Sequence, residues 1–212
     1  PEEWFRTKTR TGGTKQLNIS RIISLQPDLI LANKEENVKE QVDELAASFP
    51  VWVSDISNLA DALTMIRELG RITGREARGM EIAGQINAQF DALPRQQPPR
   101  NAAYLIWKEP FMCAGGDTFI HSMLEAAGFS NVFAHKERYP EVSAAEIAAS
   151  GAEWLLLSSE PFPFAAKHLG TMQSLFPGIR SVLVDGEMFS WYGSRLLHAP
   201  AYFRQLQEEL AR

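Results

Sequence analysis

Residues 18–32 read NISRIISLQPDLILA, and this stretch decides the fold class of the chain. Its apolar spacing predicts a short helix over residues 19–25, which Pro27 and Asp28 end. The apolar run at 29–32 then predicts a buried strand. The same order returns at once, because helical spacing over 37–48 leads through Pro50 to a second strand at 51–53. Alternation of helix and strand predicts an α/β fold with parallel sheets.

A long helical pattern follows from about Leu59 to Leu93, with an apolar stripe along one face. One continuous helix of that length would span roughly 50 Å, more than the width of a small domain. We therefore expect it to link two bodies, and the polar, proline-rich segment 94–100 marks the boundary behind it. The predicted division is an N-terminal lobe at 1–57, a linking helix at 58–93 and a C-terminal lobe at 94–212.

The C-terminal lobe repeats the α/β pattern. Strands are predicted at 102–107, 154–157 and 182–184, each as a short apolar run. Helices are predicted at 118–127, 144–149 and 196–210. Gly115 and Gly116 precede the first of these helices without the residues of a phosphate-binding loop, so a plain turn with Asp117 or Thr118 as N-cap is the favoured interpretation.

Composition excludes several classes of function. The net charge is −5 with both signs interspersed, which speaks against nucleic-acid binding. Cys113 is the only cysteine, so an internal disulfide and a cysteine-rich metal site are excluded. No stretch approaches the roughly 20 apolar residues of a membrane-spanning helix. The first residues lack the features of a secretory signal, so export is not visible in this sequence.

The residues that follow the predicted strands of the C-terminal lobe are unusually aromatic and charged. Ligands of open α/β sheets bind where strands end, and exposed aromatic side chains cost solvation unless they meet a partner. We interpret the set as an aromatic-lined ligand cleft, in which Arg195 suits an anionic or carbonyl-rich ligand; the alternative is that about half of these residues only anchor loops. The candidates are Trp107, Lys108, Glu109, Met112, Glu160, Phe162, Glu187, Trp191, Tyr192 and Arg195.

Enzymatic interpretations find less support. The serines lack a G-x-S-x-G elbow, and the four histidines stand apart without the spacing of a bare metal site. A metal would therefore arrive inside a chelate. The enzymatic alternative that stays open is a chelate-processing hydrolase that uses Glu109, Glu160 or Glu187 as acid or base.

Three segments together resemble the helical-backbone metal receptor superfamily, the substrate-binding proteins of ferric-siderophore, haem and cobalamin ABC importers. They are residues 18–32, the helical segment with Arg67-Glu68-Leu69-Gly70, and Gly115 to Phe119 with Leu124 to Phe133. The chain is most similar to a cobalamin-binding-like branch. The resemblance implies two Rossmann-like lobes with parallel sheets joined by one long backbone helix. It also implies a first lobe truncated at its N-terminus, because such proteins begin with a strand, a helix and a strand ahead of the segment that matches Pro1.

The resemblance also implies where and how a ligand is held. Cleft residues fall near Thr14 and Asn33 in the first lobe, and at 107–112, Tyr139, Glu187 and Arg195 in the second. The expected ligand is a metal chelate captured between the lobes and passed to the membrane subunits of an ABC importer, with no intrinsic cofactor. The expected location is the periplasm or cell envelope, and the expected state is a monomer. A non-exported chaperone for a corrinoid or haem is a further alternative.

Overall fold

The computed structural model describes residues 2–94 and 97–211. Arg95 and Gln96, part of the polar segment predicted at 94–100, lie outside the described residues. The chain forms two compact units, Pro1–Ile56 and Ser57–Arg212.

The smaller unit follows the predicted α/β order. Asn18 caps α2, since its side chain accepts a hydrogen bond of 3.0 Å from the backbone N–H of Arg21. Gln26 ends the same helix in the left-handed region, with φ 46°, just ahead of Pro27. The two longer strands pair in parallel from Ile30↔Val51 to Asn33↔Ser54. The elements are α1 (Glu2–Thr7), β1 (Gly12–Gly13), β2 (Gln16–Leu17), α2 (Ile19–Leu25), β3 (Ile30–Asn33), α3 (Lys39–Ala46) and β4 (Val51–Ser54).

The continuous helix expected from Leu59 to Leu93 is divided in the structure into α4 (Leu59–Ile72) and α5 (Glu76–Asp91), both within the larger unit. Gly74 lies between them in the left-handed region, with φ +66°. The two helices approach closely at Gly70 and Gly79, where a Cβ on Gly79 would stand 2.9 Å from the carbonyl oxygen of Ile66. Helical periodicity alone does not reveal the break, because an apolar stripe runs along both helices.

The elements after α5 are β5 (Arg100–Trp107), β6 (Phe111–Cys113), α6 (Phe119–Ala126), β7 (Phe129–Asn131), β8 (Glu141–Val142), α7 (Ala144–Ala149), β9 (Trp154–Ser158), α8 (Ala166–Leu175), β10 (Arg180–Val184), α9 (Gly186–Ser190), a 3₁₀ turn (Ser194–Leu197) and α10 (Ala199–Leu210). The strands of the larger unit form a six-stranded sheet in the order β10-β9-β5-β6-β8, with β7 also paired to β5. The pairs β10–β9, β9–β5 and β5–β7 are parallel, whereas the pairs β5–β6 and β6–β8 are antiparallel.

Several local expectations need correction. Met112 was expected in the loop after β5 but lies in β6, and the loop expected after β10 begins with α9. The sheet of this unit is mixed rather than wholly parallel. The sequence did not reveal the antiparallel strands β6 and β8, because strands of three and two residues are too short to show a period. Thr118 is confirmed as an N-cap, since its hydroxyl accepts a 3.2 Å hydrogen bond from the N–H of His121.

The core of the larger unit is built on the central strands. Tyr104, Leu105 and the run Leu155 to Leu157 are fully buried, as expected of a sheet with helices packed around it. Cys113 is also buried, and burial raises the pKa of its thiol to about 12. In the described parts of the chain, no helix is both long enough and apolar enough to cross a membrane.

Candidate functional site

Three neighbouring parallel strands bring their carboxyl ends to one edge of the larger sheet. The order β10-β9-β5 places Trp107, Ser158 and Val184 at this edge, where the chain leaves the strands. We call the segments 107–110, 159–163 and 185–195 the strand-end site. This is the edge at which open α/β sheets bind ligands.

Ser158, at the end of β9, holds the middle segment of the site in place. Its hydroxyl donates a 2.6 Å hydrogen bond to the carbonyl of Glu160 and accepts one of 3.1 Å from the Tyr104 hydroxyl. Tyr104 is fully buried, and burial raises the pKa of its phenol, so it stays a neutral donor. Ser158 was not among the predicted site residues. In the structure it positions the loop 159–163.

Gly186 lets α9 pass close to the same loop. A Cβ at this position would lie 2.5 Å from both the Ser158 hydroxyl and Cγ of Glu160, inside any allowed contact. The backbone N–H of Gly186 also donates a 2.9 Å hydrogen bond to the Ser159 hydroxyl. Sequence reasoning missed this role. The signal available was a glycine directly after the helix-capping Asp185 at a strand end.

The carboxylate of Glu160 is held by two neutral donors from the end of α9. Its Oε1 accepts a 2.8 Å hydrogen bond from the indole N–H of Trp191 and one of 2.5 Å from the Ser190 hydroxyl. These bonds fix the indole by its polar edge, while half of the Trp191 side chain stays exposed (50%). Ser190 was not among the predicted site residues.

Trp107 flanks the loop 159–163 from the β5 side. Its ring packs edge-to-face on Phe162 with ring centroids 5.6 Å apart, and its N–H donates to the carbonyl of Glu109 at 3.2 Å. Trp107 is 39% exposed. Glu160 and Phe162 are two residues apart, so one short loop contacts both partly exposed tryptophans. Each indole N–H is already used inside the protein, which leaves aromatic surface, rather than a polar edge, for a ligand.

The two cations of the strand-end site are ion-paired within it. The Arg195 guanidinium contacts the carboxylate of Glu187 and lies 5.9 Å from the Trp191 ring. Lys108 Nζ lies 2.9 Å from a carboxylate oxygen of Glu109. The structure therefore groups Glu160 with Trp191, Glu187 with Arg195, and Trp107 with Phe162, as the sequence could not.

The remaining candidates of the larger unit have contacts of their own. Met112 pairs with Trp107 in the β5–β6 ladder, which brings it to the site. Tyr192 packs edge-to-face on Phe119 of α6, with centroids 5.3 Å apart. Tyr139 lies under the Arg138 guanidinium at 5.6 Å. Ligand contact by these three residues stays a prediction.

In the smaller unit, Thr14 and Asn33 take part in a local hydrogen-bond network. The Thr14 hydroxyl donates to Glu36 at 3.3 Å. The Asn33 amide donates to the Ser54 hydroxyl at 2.9 Å and accepts from the N–H of Glu36 at 3.0 Å. Asn33 thus joins the ends of β3 and β4, and its role toward a ligand stays a prediction.

A cavity of about 410 Å³ lies at the other edge of the sheet, where β5 and β7 begin. Phe90, Leu93, Pro99 and Phe129 form much of its wall. It contacts none of the predicted site residues, and Pro94 and Gln97 in its wall flank residues outside the described part of the chain. We therefore base the functional argument on the strand-end site.

Metal ligands and catalytic groups do not converge at the site. Within residues 2–94 and 97–211, no group of three or more His, Cys, Asp or Glu residues could hold a metal ion. The hydrogen-bond partners of the Ser158 hydroxyl are Tyr104 and the backbone of Glu160, which is not the environment of an activated nucleophile. The geometry suits contact with a ligand by aromatic surface and fixed charges.

The fold and the site together define an α/β binding protein built of two units. A family model described as periplasmic binding protein matches residues 1–174, and the chain belongs to this family. The resemblance to the helical-backbone metal receptor superfamily and the α/β fold class are thereby confirmed. The family comprises binding proteins rather than enzymes, which agrees with the predicted class of the chain.

Individual relatives are similar over much of the chain. The vitamin B12-binding protein of Pectobacterium carotovorum subsp. carotovorum is 24% identical over 190 residues, covering 86% of this chain and 68% of the relative. That of Yersinia pestis is 26% identical over 148 residues, covering 67% of this chain and 52% of the relative. The matched region thus spans about half the length of the Yersinia protein.

Solved structures share the fold at lower identity. A periplasmic heme-binding protein of Vibrio cholerae superposes with a TM-score of 0.78 at 19% identity, covering 100% of this chain and 87% of its own. The periplasmic vitamin B12-binding protein of the same organism gives 0.74 at 17% identity, covering 97% and 87%. An Fe3+-hydroxamate transport protein of Saccharomonospora viridis gives 0.68 at 22% identity, covering 97% and 76%.

Proposed function

We propose that the chain is the substrate-binding protein of an ABC-type importer, and that it captures a ferric siderophore, haem or corrinoid at the strand-end site of the larger unit. Family membership supports the transport role. Relatives named for vitamin B12, heme and Fe3+-hydroxamate support a metal chelate as the cargo. The same comparisons support a location in the periplasm or cell envelope and membrane subunits of an importer as partners.

One observation carries the proposal: two partly exposed tryptophans are anchored on a single loop at the carboxyl edge of the sheet. Rigid aromatic faces bind large, flat or apolar ligands at little cost in side-chain entropy, because the rings are already ordered. The hydrolase alternative finds less support. Glu109 and Glu187 are ion-paired to cations, and Glu160 is bound by Trp191 and Ser190, so the three carboxylates do not form the acid–base pair that a hydrolase needs.

Intrinsic tryptophan fluorescence tests the proposal directly. The chain is titrated with a ferric trihydroxamate, haemin, cyanocobalamin and uncomplexed ferric iron. We expect saturable quenching with a sub-micromolar Kd for one of the chelates and none for the bare metal. No saturable quenching by any chelate up to about 100 μM, a concentration at which binding is already weak, would overturn the proposal.

Trp191→Ala tests whether the site is the one used. Because the side chain is half exposed, we expect the melting temperature to stay within about 2 °C while affinity measured by calorimetry falls at least about tenfold. Trp4→Ala is the matched control, since Trp4 on α1 is a similarly exposed tryptophan outside the strand-end site. A large loss of stability with unchanged affinity would contradict the assignment.

A further inference from the structure

The strand-end site carries more negative than positive side chains. Its three segments contain four carboxylates, of Glu109, Glu160, Asp185 and Glu187, but only two cations, Lys108 and Arg195. Fixed charge in a binding site selects ligands mainly by excluding those of like sign. The sign of this site is therefore informative about its ligand, if the proposed function holds.

Neither cation is available to a ligand without breaking an ion pair. Arg195 is engaged by Glu187, and both side chains are partly buried, with 40% and 31% exposure. Lys108 is more buried than its partner Glu109 and has its Nζ within 2.9 Å of that carboxylate. An anionic ligand would have to displace one of these carboxylates.

Glu160 is hydrogen-bonded to Trp191, and in the described part of the chain no cation forms an ion pair with it. Its hydrogen-bond donors are the indole N–H of Trp191 and the hydroxyl of Ser190, both uncharged groups that stabilise a carboxylate without cancelling its charge. The negative charge of Glu160 therefore lies beside the Trp191 ring.

We infer that this site selects metal chelates of zero or positive net charge and rejects polyanionic chelates, among them ferric tricatecholates and the dicarboxylate haem. This inference rests on the proposed function. The sequence left an anionic or a carbonyl-rich ligand open for Arg195, and this inference favours the carbonyl-rich one. The reason is that the structure gives Arg195 an internal counter-ion, Glu187.

Two ferric chelates of similar size and different net charge test the inference. A ferric trihydroxamate is uncharged, and a ferric tricatecholate is triply negative. We expect the Kd of the trihydroxamate, measured by fluorescence quenching at low salt, to be at least about tenfold lower than that of the tricatecholate. Equal affinity, or tighter binding of the tricatecholate, would overturn the inference while leaving the binding function intact. Binding by neither chelate, and by neither cyanocobalamin nor haemin, would instead overturn the proposed function.

Glu187→Gln tests the mechanism of selection. This change removes one negative charge and frees the Arg195 guanidinium, so the affinity ratio between the two chelates should narrow at least about fivefold. Glu81→Gln is the matched control, because it breaks a surface ion pair with Arg78 on α5 and changes the net charge equally. An equal change of the ratio in both variants would show an effect of overall charge and contradict selection by the site.

Discussion

At the scale of single residues, the site depends on a few atoms that hold the loop 159–163 in one position. The Ser158 hydroxyl is hydrogen-bonded to the backbone carbonyl and N–H of Glu160. The indole N–H of Trp191, at the end of α9, donates a hydrogen bond to the Glu160 carboxylate. Neutral donors hold every one of these contacts, so the loop position does not depend on a salt-sensitive ion pair. Internal hydrogen bonds therefore order the loop 159–163 and the Trp191 ring without help from a ligand.

Gly186→Ala is expected to disturb this arrangement by steric overlap. The added Cβ would lie 2.5 Å from Ser158 Oγ and Glu160 Cγ, so the loop must move away from α9. We expect ligand affinity to fall at least about tenfold and the free energy of unfolding to drop by about 1–3 kcal/mol. Calorimetric titration and urea denaturation measure the two effects. Gly170→Ala on α8, where an added Cβ meets nothing within 4 Å, is the control; equal behaviour of the two variants would show that the close approach is dispensable.

At the scale of elements, the junction of α4 and α5 shows how two glycines shape a helix pair. A Cβ on Gly70 would stand 3.0 Å from Cα of Gly79, so the backbones approach more closely than any larger residue allows. The contact folds the two helices against each other directly after the turn at Gly74. Glycine has a low intrinsic helix propensity, but Gly70 and Gly79 allow the close packing of α4 against α5.

Two substitutions on the same helix separate propensity from packing. Gly79→Ala should lower the free energy of unfolding by about 1–3 kcal/mol, because its Cβ would stand 2.9 Å from the backbone oxygen of Ile66. Gly84→Ala should raise it by about 0.5–1 kcal/mol, since the position is exposed and open and alanine favours a helix. Urea denaturation of both variants is the measurement. Stabilisation by both would mean that α4 and α5 do not meet as closely as described.

At the scale of the whole molecule, the two units differ in how much of each is buried. Among residues 2–56 only Ile22, Ala32, Leu45 and Ser54 are buried, whereas β5 and β9 are buried along most of their length. The smaller unit also exposes Leu31 on β3 (52%) and Val53 on β4 (47%). Burial of apolar surface provides most of the free energy of folding, so local stability should be unequal.

Hydrogen exchange followed by mass spectrometry should show this difference. Backbone amides of β3 and β4 are expected to exchange at least about a hundredfold faster than those of β5 and β9, because opening a sparsely buried pair of strands costs less free energy. Exchange of the same peptides in concentrated urea provides the intrinsic rates. Equal protection of the four strands would contradict the unequal stability inferred from burial.

The sequence by itself determined the α/β class, the elements α2, β3, α3 and β4 to within a few residues, and the positions of the loops that follow the strands of the larger unit; it did not reveal α1, β1 or β2. This was possible because burial of one face of a helix or strand requires a regular spacing of apolar residues, and a loop begins where that spacing ends. Helix α2 matches its predicted bounds of 19–25, and α7 those of 144–149.

Only the tertiary structure decided which side chains within these segments meet. The break between α4 and α5 depends on the backbone contact of Gly70 with Gly79, and the insertion of β6 depends on a partner strand rather than on a period of its own. The pairing of Trp191 with Glu160 joins residues 31 positions apart, and the pairing of Arg195 with Glu187 gives the cation an internal counter-ion. Such contacts depend on loop conformation and on the order of strands in the sheet, and neither produces a regular spacing of apolar residues in the sequence.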